Sequence, residues 1–143
     1  MIISHLFIAF EGNSVLHYFG SRPYDRRSTA THCTWMIWAT LGAAYHNFHH
    51  TFPYDYTASE FGPATVFNLN TVLIDLAAKL GLATDLKRAS PATIDQWKRK
   101  YGSPEEAVPT RGPALDWTLG MLFSALPIWL ILGGRAVMVS CFQ

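Results

Sequence analysis

Apolar and polar positions alternate along this chain in blocks that predict helices joined by irregular stretches. Ile2 to Phe10 is apolar apart from Ser4 and His5. At about 1.5 Å per residue it covers roughly half of a 30 Å hydrocarbon core, so it reads as the end of a membrane helix whose beginning lies upstream. From Asn13 to Arg27 the chain turns polar, and Gly20, Pro23 and the cluster Asp25, Arg26, Arg27 mark an irregular interfacial stretch. Thr31 to Ala44 holds no charge and no proline and leads into His46, which predicts a helix that delivers the following histidines. Pro53 ends that helix, because proline has no N–H to donate and disfavours helix in the residue before it.

Leu69, Val72, Leu73, Leu76, Ala77 and Leu80 recur at three- and four-residue steps up to Gly81, the pattern of an amphipathic helix. A further short, solvated helix opens at Ser90-Pro91 and carries Lys98, Arg99 and Lys100 near its end, the sign that suits a helix C-terminus. Tyr101 to Pro113 mixes glycine, proline and charge without a period and reads as a linker. Trp117 to Gly134 carries no charge and is close to the roughly 17 residues that span a bilayer, with Pro127 as a kink and Arg135 on the cytoplasmic side. The expected organisation is a main unit over 1–100, a linker over 101–113 and a hydrophobic tail over 114–143 that is a candidate transmembrane segment. The fold class is all-α, a helical integral membrane protein fragment.

Composition narrows the function. Half of the residues are hydrophobic and 15% are charged, against about a quarter in soluble domains, which leans towards a membrane. A net charge of +1 provides no field for a phosphate backbone and excludes nucleic acid as a partner. Cys33 and Cys141 fit neither a disulfide framework nor a zinc spacing. No basic region precedes the first apolar run and no small-residue cleavage site follows it, so it is not a signal peptide.

The chemistry lies in His46-Asn47-Phe48-His49-His50. Positions i, i+3 and i+4 of a helix project from one face, about 5–6 Å apart at Cβ, so three imidazoles can converge there. With six histidines in the whole chain, three within five positions are hard to attribute to chance grouping. Imidazole suits iron, copper or zinc. A zinc hydrolase also needs a general base; none sits inside the cluster, and Asp55 and Glu60 lie beyond Pro53. His5 and His32 read as structural. Trp35, Trp38, Trp117 and Trp129 read as core or bilayer-facing aromatics, and Trp97 as an interfacial one. Lys87, Arg88 and Lys98 to Lys100 read as a solvated face, with a contact for an acidic partner as the minority alternative.

The residues around the cluster extend the pattern. His46 to Tyr56, HNFHHTFPYDY, resembles the third histidine box of the acyl-CoA desaturases, the stearoyl-CoA or delta-9 family. Upstream, Asn13-Ser14-Val15-Leu16-His17 and Gly20-Ser21-Arg22-Pro23-Tyr24-Asp25 are similar to that family's NSxxH and GxRPYD elements. Downstream, Ser59-Glu60, Ile74-Asp75 and Gly81 to Lys87 continue the similarity, which covers roughly residues 8 to 96. The resemblance implies an oxidoreductase of the endoplasmic reticulum membrane, multi-pass, with its site on the cytosolic side. It also implies a diiron (Fe) centre held by histidines, and the insertion of a cis double bond at the ninth carbon of a fatty acyl-CoA with oxygen and electrons from cytochrome b5. Membrane lipid surrounds such a protein. Carried over position by position, His17, His46 and His50 bind one iron and His49 the other; Asn13 lies beside them through water, and Phe10 lines the acyl channel where the family usually has tryptophan.

The sequence also departs from that pattern. Glu11 and Gly12 stand where apolar residues are usual, and Gly42-Ala43-Ala44 stands where Gly-Glu-Gly is common. The two earlier histidine boxes are absent, so the chain alone is expected to be inactive. A truncated, catalytically inactive membrane protein and a related membrane diiron hydroxylase are the alternatives.

Overall fold

A computed structural model of the chain describes residues 14–104, 112–122 and 125. Three helices follow in order: α1 (His46–Thr51), α2 (Leu69–Lys79) and α3 (Pro91–Tyr101), preceded by a 3-10 turn at Thr34–Met36. Residues 14–18 and 113–122 are also helical. The only β-type pairing among the described residues is two isolated antiparallel bridges, Ser21 with His32 and His32 with Tyr45, in keeping with the all-α expectation. No helix of the described residues is long and apolar enough to cross a membrane. The expected span at Trp117–Gly134 is described only over 117–122 and at 125, and the first apolar run, Ile2–Phe10, lies outside the described residues.

Local chemistry explains the helix ends. The Asn68 side chain caps α2 by accepting from Thr71 N at 3.0 Å, and the helix closes where Gly81 adopts φ +73°. Ser90 caps α3 by accepting from Thr93 N at 3.1 Å, with Pro91 at the first position and Lys98, Arg99 and Lys100 in the last turn. α1 stops at Thr51, two residues before Pro53.

The helix expected over Thr31–Ala44 is not formed. After the Thr34–Met36 turn the chain continues through turns, with Leu41 at φ 55° and Gly42 at φ +98°. A side chain at Gly42 would collide with the backbone of Asn68, so the segment folds back closely against the start of α2. Absence of charge and proline permits a helix but does not impose one, and β-branched Thr31, Thr34, Ile37 and Thr40 weaken the preference.

The core brings Leu16, Tyr24, Ile37, Tyr45, Phe48, Phe52, Val66, Phe67 and Ile94 together. Aromatic edges organise it: Phe48 lies 5.0 Å from Tyr24 and 4.9 Å from Phe52, and partly buried Trp97 packs against the core 6.1 Å from Phe52. Offset and edge-to-face pairs of this kind add to the gain from burial. The leucine stripe of α2 faces outward instead, with Leu73, Leu76 and Leu80 each more than half exposed. The cause is polar anchoring: Thr57 O accepts from Asn68 Nδ2 and Thr71 Oγ1, which turns the opposite face of α2 away from the core.

Residues 113–122 pack on the same core. Buried Asp116 accepts from Phe67 N at 2.7 Å and Trp38 Nε1 at 3.1 Å, and Trp117 Nε1 donates to Pro63 O at 2.7 Å. Gly120 lets this helix approach the Phe67 ring closely.

Candidate metal centre

The short helix α1 has two faces with different tasks. Asn47 and Phe48 are fully buried, while His46 is half-buried and His49 and His50 are exposed. Asn47 uses its whole amide: Oδ1 accepts from Tyr24 N at 2.9 Å and Asp25 N at 3.2 Å, and Nδ2 donates to Asp25 O and Ala30 O, each at 2.9 Å. The Pro23-Tyr24-Asp25 part of the loop is therefore a buried scaffold fixed to α1. Thr31 continues the link. Its O accepts from Asn47 N, while its N and Oγ1 both donate to Leu16 O, at 2.7 and 2.8 Å. This relay positions His17, beside Leu16, against α1 across a sequence separation of 29 residues from His46.

The result is a convergence of three imidazoles. His17 Nε2 lies 3.1 Å from His46 Nε2, and His50 Nε2 lies 3.2 Å from His46 Nε2. One ligand atom from each of the three falls within 4.8 Å of the others. Metal–imidazole bonds of about 2.0–2.1 Å place neighbouring nitrogens roughly 3 Å apart, so this donor set fits a transition-metal ion. Burial, followed by the neighbouring imidazoles of His50, His17 and His49, lowers the His46 pKa to about 4, and burial with His17 and His49 lowers that of His50. Both rings stay neutral at pH 7, the state that ligates. His17 Nδ1 is 3.0 Å from Thr29 Oγ1.

His49 does not join this group. Its ring lies 6.1 Å from His46 and 5.8 Å from His50, centroid to centroid, and is exposed. The three imidazoles that meet are thus His17, His46 and His50, not the three of α1 expected from spacing alone. Asn13 and Phe10 lie outside the described residues.

No carboxylate enters the group among the described residues. Asp55 is buried, accepting from Thr57 and from Ala89 N, and Glu60 is held by Tyr24 OH at 2.6 Å and Lys98 Nζ at 2.7 Å. Both acids are committed to the scaffold, so neither stands at the histidine group as a base. Lys98 correspondingly leaves the solvated face to which its neighbours assigned it.

His32 is structural in its setting: 3% exposed, its ring 4.5 Å from Tyr45, with neither ring nitrogen bonded to a described residue. Burial, reinforced by the Lys98 charge, lowers its pKa to about 4. The unfolded chain, with an ordinary histidine near 6.5, therefore takes up the proton first on acidification. The His32 contribution is complete above about pH 6.5 and is lost as pH falls towards 4, costing about 2 kcal/mol between pH 7 and pH 5. His32→Phe is expected to flatten urea-denaturation stability over that interval by this amount; an unaltered pH dependence would contradict the buried neutral ring.

Asn47, Thr31 and Thr29 were not evident as site residues from the sequence. Only Asn47 carried a signal, as a polar residue on the helix position facing away from His46 and His50.

No family model matches the chain. Individual relatives do. Stearoyl-CoA desaturase 5 of Bos taurus is 46% identical over 90 residues, 63% of this chain and 26% of the relative. Delta(9)-fatty-acid desaturase fat-7 of Caenorhabditis elegans is 43% identical over 93 residues, 65% of this chain and 27% of the relative. Acyl-CoA Delta(11) desaturase of Spodoptera littoralis is 39% identical over 100 residues, 70% of this chain and 29% of the relative. The chain thus spans about a quarter of the length of these curated relatives, and it is homologous to the stearoyl-CoA and other acyl-CoA desaturases.

Proposed function

We propose that this chain contributes the last histidine group of a diiron acyl-CoA desaturase acting at the ninth carbon of a fatty acyl-CoA. The observation that carries the reading is the approach of His17 Nε2 and His50 Nε2 to His46 Nε2, within 3.1 and 3.2 Å, in a segment homologous to desaturases. Iron, when bound, supplies with oxygen the oxidising power that side chains lack for breaking an unactivated C–H bond. The residues of this chain hold and orient: His17, His46 and His50 present neutral Nε2 atoms to one ion, and exposed His49 is available to the other.

Electrons from cytochrome b5 and a location in the endoplasmic reticulum membrane, with the site on the cytosolic side, belong to the same proposal. The uncharged run 117–134 supports the membrane part of it. The four histidines assigned to the site place three donors on one ion and one on the other. The chain therefore needs the further histidines of a complete desaturase to fill both ions.

The test joins this chain to the remaining part of the Bos taurus relative in cells lacking desaturase. Growth without added oleate, with iron retained by the purified protein, is the expected result for the joined protein, and no growth for the chain alone. A joined protein that holds iron yet makes no unsaturated acyl chain would overturn the desaturase reading. Growth on the chain alone would overturn the shared-ligand reading.

A further inference from the structure

We propose that Thr29 is a positioning residue for the metal centre, fixing the His17 ring in the tautomer that ligates through Nε2. The inference rests on His17 being a ligand, as proposed above. A neutral imidazole that binds metal through Nε2 must carry its proton on Nδ1, and that N–H needs an acceptor. Thr29 Oγ1 lies 3.0 Å from His17 Nδ1 and provides it. The other tautomer would place a hydrogen on Nε2, aimed at His46 Nε2 only 3.1 Å away, and would block ligation.

The hydroxyl is held in register with the site. Ala30, next to Thr29, donates its N–H to Ser28 Oγ and gives its carbonyl to Asn47 Nδ2, and Thr31 is tied to both Leu16 and Asn47. The framework that brings His17 to His46 thus also fixes the group behind the His17 ring. Among the described residues, His17 is the one member of the three whose Nδ1 has a protein partner. It is also the member that comes from outside α1, so its ring orientation is not set by the helix that carries the other two.

Partners behind a ligating histidine typically change metal affinity by 10- to 100-fold, and because Thr29 is exposed to competing water the lower end applies. The full chain would be titrated with Co(II) at pH 8 as wild type, Thr29→Val, Thr29→Ser and His17→Ala. Thr29→Val is expected to weaken binding about tenfold, Thr29→Ser to restore it to within about twofold, and His17→Ala to weaken it by about 100-fold or more. Ring 15N shifts of the metal-free protein at pH 8 provide the readout that a purely structural role would not move. Thr29→Val should change the tautomer balance of His17, at an unaltered thermal midpoint.

Wild-type affinity in Thr29→Val, alongside a weakened His17→Ala, would overturn the role of Thr29 alone. Failure of Thr29→Ser to restore affinity would overturn it equally, by assigning the effect to shape. Wild-type affinity in His17→Ala would instead overturn the ligand reading on which the proposal stands.

Discussion

His46→Ala is expected to abolish Co(II) binding by this chain at micromolar metal while leaving the fold in place. His46 is the shared member of the cluster: its Nε2 is the near neighbour of both His17 Nε2 and His50 Nε2, whose own rings are 5.3 Å apart at their centroids. A structural zinc site of four ligands is worth about 10–16 kcal/mol, or roughly 2.5–4 kcal/mol per ligand, which corresponds to a loss of about two to three orders of magnitude in affinity. The imidazole is half-buried and, among the described residues, makes its polar contacts with other histidines, so its loss should change stability by less than about 1 kcal/mol. His49→Ala provides the contrast. Because His49 stands outside the cluster, that variant should bind Co(II) within about threefold of wild type, a shift well below the loss of one ligand. Equal losses in the two variants, measured by the cobalt absorption spectrum, would mean that the ligands are the three histidines of α1 and not His17, His46 and His50.

Asn47→Leu is expected to destabilise the fold by about 3 kcal/mol or more. The leucine has a similar volume and suits burial, so the effect isolates hydrogen bonding. Four backbone groups lose a partner together: the N–H of Tyr24 and of Asp25, and the carbonyls of Asp25 and Ala30. Tyr24, Asp25 and Ala30 are all buried; Asp25 O keeps Ser28 N as a donor, and each of the three orphaned groups costs about 1–3 kcal/mol, so a total of about 3 kcal/mol or more is expected. Domains are stable by only about 5–15 kcal/mol. Urea denaturation with far-ultraviolet circular dichroism measures the change directly. Since Asn47 also lies in the relay between Leu16 and α1, the remaining folded fraction should show a loosened His17 and weaker metal binding. A stability loss under about 1 kcal/mol would show that the loop is held by other means.

Which parts of this picture were legible in the sequence follows from the range over which each signal acts. Pro53, Gly81, Ser90 and Pro91 place helix ends, because caps and prolines act on backbone groups within about four residues. The i, i+4 spacing likewise puts His46 and His50 side by side once a helix exists there, and the surrounding motif pointed to the desaturases before any geometry was known. Over Thr31–Ala44 the sequence offered only an absence of breakers, and the approach of Gly42 to Asn68 decided otherwise. In α2 periodicity fixed the helix but not its orientation, since Asn68 and Thr71 anchor it by hydrogen bonds and leave Leu73, Leu76 and Leu80 outside. The choice of His17 over His49 as third member of the cluster, the role of Asn47 and the pairing of Lys98 with Glu60 all depend on contacts between residues 17 or more positions apart. Local spacing sets which side chains share a helix face. Which distant segment meets that face is decided when buried backbone groups must all find partners at once, and that condition is satisfied only in the folded chain.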